Sequence, residues 1–324
     1  MMTKPLFSAA ALALALSAGS AFAADLPSHK APPYIPPPPP MWTGFYVGLN
    51  AGYTFSDSNS IWVNSSVLAI GGPPVSIVGN TLVAAAAAAT QSALLPGGNN
   101  GGFIGGGQIG YNWQFASNFV AGVEADIQGV AASRGWNSVT GATSLFPQFP
   151  AGDFWASQIQ ASKSLDYLGT VRGRIGYLFT PTLLVYGTGG LAYGGVNTGL
   201  NITSGPVGPV APIIFGPMFG SSAFSDTRVG WTAGGGLEWM FMPNWSAKVE
   251  YLYYDLGSVA LNSTPLASLG TGFGFGAPFA GALAGRLAFA TSVAASTRFN
   301  GHIIRAGVNY HFNWGAPAAV LAKY

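Results

Sequence analysis

The chain contains no cysteine and very few charged residues, and both shortages limit what it can be. Without cysteine it has no disulfide, no thiolate metal ligand and no thiol nucleophile. Only 7% of its 324 residues are charged, against about 25% in soluble globular domains. The net charge of +2 is too small and too scattered for a nucleic-acid-binding surface. A typical cytosolic enzyme and a nucleic-acid-binding protein are thereby excluded.

A long apolar run is also missing. After the first 23 residues, no segment has the roughly 18 consecutive apolar residues of a transmembrane helix. The chain is nevertheless 49% hydrophobic, with 47 glycines, 13% aromatic residues and a mean hydropathy of +0.36. A membrane protein without such helices must form a closed β-barrel, because lipid offers no partner to an unpaired backbone group.

The first 41 residues predict export. Residues 1–23 have a basic Lys4, an apolar core from Leu6 to Leu16 and a small-x-small site that ends at Ala23. This pattern is typical of a secretory signal peptide, with cleavage between Ala23 and Ala24. Residues 24–41 are rich in proline, which predicts an extended periplasmic spacer.

From residue 42 onward, apolar residues alternate with polar ones, which is the pattern of β-strands. In one segment Val171 and Ile175 lie on one face, and Arg172 and Arg174 lie on the other. Strands of 13–16 residues are longer than the usual 5–6 and are long enough to cross a membrane when tilted. Eight segments show this pattern: 42–56, 102–114, 118–131, 164–178, 182–197, 226–241, 244–258 and 297–312.

The connections between these segments alternate in length. Three are about three residues long, and the other four span 57–101, 132–163, 198–225 and 259–296. Short periplasmic turns and long extracellular loops are typical of outer-membrane barrels. We therefore predict an eight-stranded antiparallel up-and-down transmembrane β-barrel over residues 42–312, followed by a tail, 313–324. Within the first loop, residues 81–95 are alanine-rich and predict a short helix.

Aromatic residues mark the strand ends next to the short turns. An amphipathic ring is most stable at a membrane interface, so these residues predict a periplasmic girdle. Its predicted members are Trp42, Tyr111, Trp113, Phe119, Tyr177, Phe179, Trp239, Phe241, Trp245, Tyr310 and Phe312.

Several strands resemble a known family. The stretches 42–48, 169–177, 249–255 and 305–312 are similar to the small outer-membrane β-barrels of alphaproteobacteria. These are labelled outer-membrane immunogenic or porin-family proteins and share the plan of the OmpA and OmpX barrels. The resemblance implies an outer-membrane surface protein without enzyme activity. It also implies contact with outer-membrane lipid and lipopolysaccharide, and insertion by the outer-membrane assembly machinery.

The end of the chain departs from that family. Such barrels end at an aromatic residue that serves as the assembly signal, and Phe312 matches that residue. Here twelve more residues follow, up to Tyr324, so Tyr324 is a second candidate for the signal.

The charges that face inward form the candidate site. Their parity along the strands places five positive and five negative side chains in the lumen: Glu124, Asp126, Asp166, Arg172, Arg174, Arg228, Glu238, Lys248, Glu250 and Arg305. A ring of one sign would favour a selective channel. Balanced signs favour a paired network that fills the interior, because an unpaired buried charge is costly.

Other chemistry-bearing patterns are weak. Gly105–Gly110 fits a dinucleotide-binding G-x-G-x-x-G motif, but it lies inside a strand and not at a strand-to-helix turn. His29, His302 and His311 lack metal-ligand spacing, and no cofactor is expected. Two alternatives to a surface protein stay open. One is a narrow passive diffusion channel, and the other is a rim hydrolase that would use His302 with Asp255 or Asp226.

Overall fold

A computed structural model describes residues 42–58, 60–70, 94–96, 101–116, 118–132, 135–144, 152–209, 216–269 and 287–312. All of them belong to one unit, Pro40–Tyr324. The predicted signal peptide, its cleavage site, the spacer and the tail lie outside the described residues. Within those ranges, no helix has the length and hydropathy needed to cross a membrane.

The structure is an all-β antiparallel sheet. Its strands are β1 Gly44–Ser56, β2 Ser60–Ile70, β3 Leu94–Pro96, β4 Gly102–Phe115, β5 Phe119–Ala132, β6 Trp136–Ser144, β7 Phe154–Thr180, β8 Leu183–Val207, β9 Met218–Met242, β10 Trp245–Asn262, β11 Leu266–Leu269 and β12 Leu287–Phe312. Each of the eight predicted strand segments lies within one of them, apart from one or two residues at some ends.

Eight long strands pair in the order β1-β4-β5-β7-β8-β9-β10-β12. The last strand also pairs with the first, from Phe45 opposite Phe312 to Ser56 opposite Gly301. The order of pairing therefore returns to the strand where it began. Short connections of two or three residues join β4 to β5, β7 to β8 and β9 to β10, as the sequence predicts.

The prediction of four long loops is wrong for much of their length. Strands β7, β8, β9 and β12 run for 25 to 27 residues, well past the predicted strand ends. Strands β2 and β6 pair beside β12 and β7 and prolong β1 and β5. The extension is stable because alternate side chains such as Trp155 and Ile159 are buried within it, so the ladder continues to bury apolar surface. The predicted helix 81–95 lies outside the described residues, except that Leu94 and Leu95 belong to β3.

The two faces of the sheet differ as the alternation predicts. Val171 and Ile175 are 53% and 61% exposed on the outer face, whereas Thr170 and Arg172 are buried. Large apolar side chains cover the outer face, among them Trp113, Phe179 and Trp239. An apolar outer face is stable only in contact with lipid or another apolar surface.

Glycines on the inner face make room for tyrosine rings on the neighbouring strand. Tyr46 lies opposite Gly110 and Tyr186 lies opposite Gly236. A Cβ atom at Gly110 would collide with the ring and hydroxyl of Tyr46. The motif Gly105–Gly110 lies within β4, and its last glycine therefore has a packing role.

We predict that Gly110→Ala lowers the free energy of unfolding by about 1–3 kcal/mol, because the Tyr46 ring must move away from a well-packed position. Gly107→Ala on the same strand is the control. Its Cβ would meet nothing closer than 3.8 Å, so stability should stay the same or rise. Urea unfolding of both variants measures the difference, and equal stabilities would contradict the packing role.

Candidate functional site

Eight buried ionisable side chains converge on the inner face of the sheet. We call them the charged layer: Glu124 and Asp126 on β5, Arg172 and Arg174 on β7, Glu238 on β9, Lys248 and Glu250 on β10, and Arg305 on β12. Each is at most 5% exposed, and four are cations and four are anions. Residues two apart on a strand face the same way, which is why three strands supply a pair each.

Arg172 and Arg305 share two carboxylates. Arg172 donates from Nη1 to Glu250 Oε1 and from Nη2 to Asp126 Oδ2, both at 2.9 Å, and it also bonds to Glu124. Arg305 donates from Nε to Glu250 Oε2 at 2.8 Å and from Nη2 to Asp126 Oδ2 at 2.9 Å. Each carboxylate of Asp126 and Glu250 thus bridges two guanidinium groups.

One contact joins strands that are far apart in the pairing order. Lys248 Nζ donates to both oxygens of Glu124, at 2.9 and 3.0 Å. Three strands separate β10 from β5 in either direction around the order of pairing. The two side chains therefore meet although their strands are not neighbours in the sheet.

Arg174 and Glu238 form a further ion pair of the charged layer, with 2.6 Å between Nη2 and Oε2. Its guanidinium lies 4.1 Å from the centre of the Tyr186 ring and donates to the Tyr46 hydroxyl at 3.1 Å. Tyr46 in turn donates to Glu124 Oε2 at 2.6 Å. Tyr46 thus links the Arg174–Glu238 pair to Glu124.

Neutral side chains complete the coordination of Glu238. Ser246 Oγ and Asn309 Nδ2 donate to its Oε1 at 2.6 and 2.7 Å, and His311 Nε2 lies 2.8 Å from the Ser246 hydroxyl. The pattern of inward charges does not identify these three residues, because two of them are neutral and the third is a histidine. His311 is buried and shares the parity of Arg305, and that shared parity was the available signal.

Two predicted members of the network lie elsewhere. The Asp166 carboxylate accepts from Asn197 Nδ2 at 2.8 Å, and Arg228 donates to the carbonyl oxygen of Ser258 at 3.1 Å. The ladder has an irregularity between Leu165 and Tyr167 that shifts the parity at Asp166. Arg228 is ten residues from Glu238 along β9, which is about 33 Å of strand.

An apolar cluster lies on each side of the charged layer. The upper cluster, toward the extended strand ends, consists of Ile104, Leu165, Leu168, Ala192, Val196, Leu252, Tyr254, Leu256, Val259, Phe299 and Ile303. The lower cluster, at the short turns, consists of Trp42, Val120, Leu178, Leu184, Tyr186 and Met240. The charged layer therefore lies between two groups of buried apolar side chains.

The placement of Trp42 corrects the girdle prediction. Its side chain is fully buried in the lower cluster, and its indole Nε1 donates to the carbonyl oxygen of Pro181 at 3.0 Å. Trp42 precedes β1, so the strand alternation does not govern its direction. Other predicted girdle residues, including Trp113, Phe179 and Trp245, are exposed on the outer face.

Lys163 crosses the interior above the upper cluster. Its Nζ donates to the carbonyl oxygen of Ser58 at 2.7 Å and lies 4.7 Å from the centre of the Phe299 ring. Burial lowers the pKa of Lys163 to about 8, because the ammonium form is desolvated there. This side chain ties β7 to the junction of β1 and β2.

The predicted rim pairings of His302 are not formed. Asp255 bonds to Arg298, and Asp226 accepts from the backbone N–H of Thr227 at 2.7 Å. His302 Nδ1 instead lies 2.7 Å from the Tyr251 hydroxyl, and its Nε2 is 4.0 Å from Asp57. In the part of the chain that the structure describes, no three His, Asp or Glu residues are grouped as metal ligands.

Comparison with known proteins shows the family to which this chain belongs. Residues 8–312 match the family model of the outer membrane protein beta-barrel domain, and the chain belongs to this family of outer-membrane proteins.

Individual relatives agree with that class. The chain is 33% identical over 304 residues to the 31 kDa outer-membrane immunogenic protein of Brucella melitensis, covering 92% of this chain and 96% of that protein. It is 29% identical over 180 residues to the 25 kDa outer-membrane immunogenic protein of Brucella canis, covering 52% and 74%. Among solved structures, it resembles OprG from Pseudomonas aeruginosa, with a TM-score of 0.33 and 11% identity over 84% of this chain and 98% of that one.

We predict that Glu124→Gln lowers the free energy of unfolding by about 3–5 kcal/mol, because it leaves the buried Lys248 and Arg172 without a shared carboxylate. Asp226→Asn removes an exposed carboxylate and should change stability by less than about 0.5 kcal/mol. Urea unfolding in micelles measures both. An equal, small effect in the two variants would show that the layer is solvated.

Proposed function

We propose that this protein is a closed eight-stranded barrel that acts as a structural and surface protein of the outer membrane. Its interior would be sealed by the charged layer, with no catalytic site. The observation that carries the proposal is the Lys248–Glu124 contact, which joins opposite strands within a balanced set of four cations and four anions.

The pairing of β12 with β1 supports closure. Eight strands enclose a space just wide enough for side chains to fill, whereas water-filled porins use about 16–18 strands. Closure also leaves no sheet edge in contact with lipid.

Orientation follows the plan of outer-membrane barrels, with short turns in the periplasm and the long strand ends outside the cell. We predict that a cysteine at Gln158, on the exposed extension of β7, reacts with a membrane-impermeant thiol reagent on intact cells. A cysteine at Asn118, in a short turn, should react only after permeabilisation. The absence of native cysteine makes both labels specific. Labelling of Asn118→Cys in intact cells would reverse the orientation.

A sealed interior predicts no steady conductance. The purified protein in a planar bilayer should show only brief, flickering events, since the ion pairs must break before ions can pass. Arg172→Ala should raise the leak, because it removes a guanidinium that binds three carboxylates. Steady conductance of the unaltered protein at porin size would favour the alternative, a passive diffusion channel.

A surface role without catalysis is supported by the names of the relatives, which are outer-membrane immunogenic proteins. The contacts at the rim also support it, since Asp255 is engaged by Arg298 and not by His302. Hydrolysis of a peptide or ester by the purified protein that disappears in His302→Ala would count against this part of the proposal.

A further inference from the structure

A small polar cavity opens on the outer face of the extended strands, well away from the charged layer. Two cross-strand pairs form it, Asn201 opposite Ser221 and Thr203 opposite Phe219, on β8 and β9. Thr264 closes one side, where its Oγ1 accepts from the Ser221 N–H at 3.2 Å. The cavity has a volume of about 280 Å³.

The lining combines a flat aromatic ring with uncharged hydrogen-bonding groups. The Phe219 side chain is 67% exposed, although exposure of such a ring to water is unfavourable. The Asn201 amide and the Thr203 hydroxyl point outward beside it, on the same face of β8. Among the residues that the structure describes, those that line the cavity carry no charge.

The strands that carry the cavity are firmly paired, which favours a preformed binding site. Ile202 lies on β8 between Asn201 and Thr203 and is buried beneath the cavity, and Leu266 is buried against Gly220. The two strands are paired continuously from Leu183 to Ser204. The backbone positions that carry the outward groups are therefore held relative to one another, which reduces the entropy lost on binding.

We propose that this cavity binds one neutral hexopyranose residue of a polysaccharide. The face of a pyranose ring presents C–H groups, which pack on the electron-rich face of an aromatic ring such as Phe219. Its hydroxyl groups both donate and accept, as an amide and hydroxyls require. A charged sugar or a phosphate would need Arg or Lys. The volume lies below that of drug-sized sites and fits a single ring.

The test uses the full protein in a detergent without a sugar headgroup, because maltoside or glucoside detergents would occupy the site. Methyl glycosides of glucose, galactose, mannose and N-acetylglucosamine are titrated and followed by saturation-transfer NMR. At least one glycoside should bind saturably. Phe219→Ala should weaken that binding at least tenfold, and Asn201→Ala should weaken it as well. Phe154→Ala, an exposed ring outside the cavity, should bind as the unaltered protein does.

The absence of saturable binding to all four glycosides would overturn the proposal, as would unchanged binding in Phe219→Ala. Asn201→Ala removes only an exposed amide, so it keeps the test valid if the Phe219 variant folds poorly. Polysaccharide from the producing cells and neutral polysaccharide from another source are then compared as competitors of the bound glycoside. The one that displaces the glycoside is the source of the sugar that the site binds. Neither result depends on whether the barrel conducts ions.

Discussion

The constraint on which this structure depends is the pairing of charges that are almost fully buried. A buried ion left without a partner costs several kcal/mol, so the four cations and four anions of the charged layer must be arranged together. Arg172 and Arg305 each bind more than one carboxylate, and Lys248 reaches Glu124 from the opposite strand. Together with the Arg174–Glu238 pair, these contacts fix the position of five strands relative to one another.

The other buried side chains surround that layer with apolar residues. Apolar clusters lie above and below it, and Trp42 fills the end next to the short turns. Inner-face glycines such as Gly110 leave room for the tyrosines whose hydroxyls enter the charged layer. The chain therefore reverses the usual arrangement of soluble proteins: the eight charges of the layer are buried, and large apolar side chains are exposed on the outer face.

Past the charged layer and the upper cluster, the same ladder continues as a wall formed by the extended ends of β7, β8, β9 and β12. Side chains such as Trp155 and Ile159 are buried in that wall, so the extension has a core of its own. Its outer face carries uncharged polar residues and a few exposed rings. This surface also carries the cavity lined by Asn201 and Phe219.

The sequence by itself determined the strands, their inward and outward faces and the balance of inward charge. Alternation with period two requires no knowledge of the neighbours, so Val171 and Arg172 could be assigned to opposite faces from their positions alone. Alternation indicates the face on which a side chain lies but not whether charges on different strands lie at the same level, so it could not separate Arg228 from the charged layer. Alternation also could not predict the irregularity of the ladder at Asp166. Nor could it predict the direction of the Trp42 side chain, because Trp42 precedes β1. Only the tertiary structure decided which charges meet, because contacts such as Lys248–Glu124 depend on the register of every strand between them.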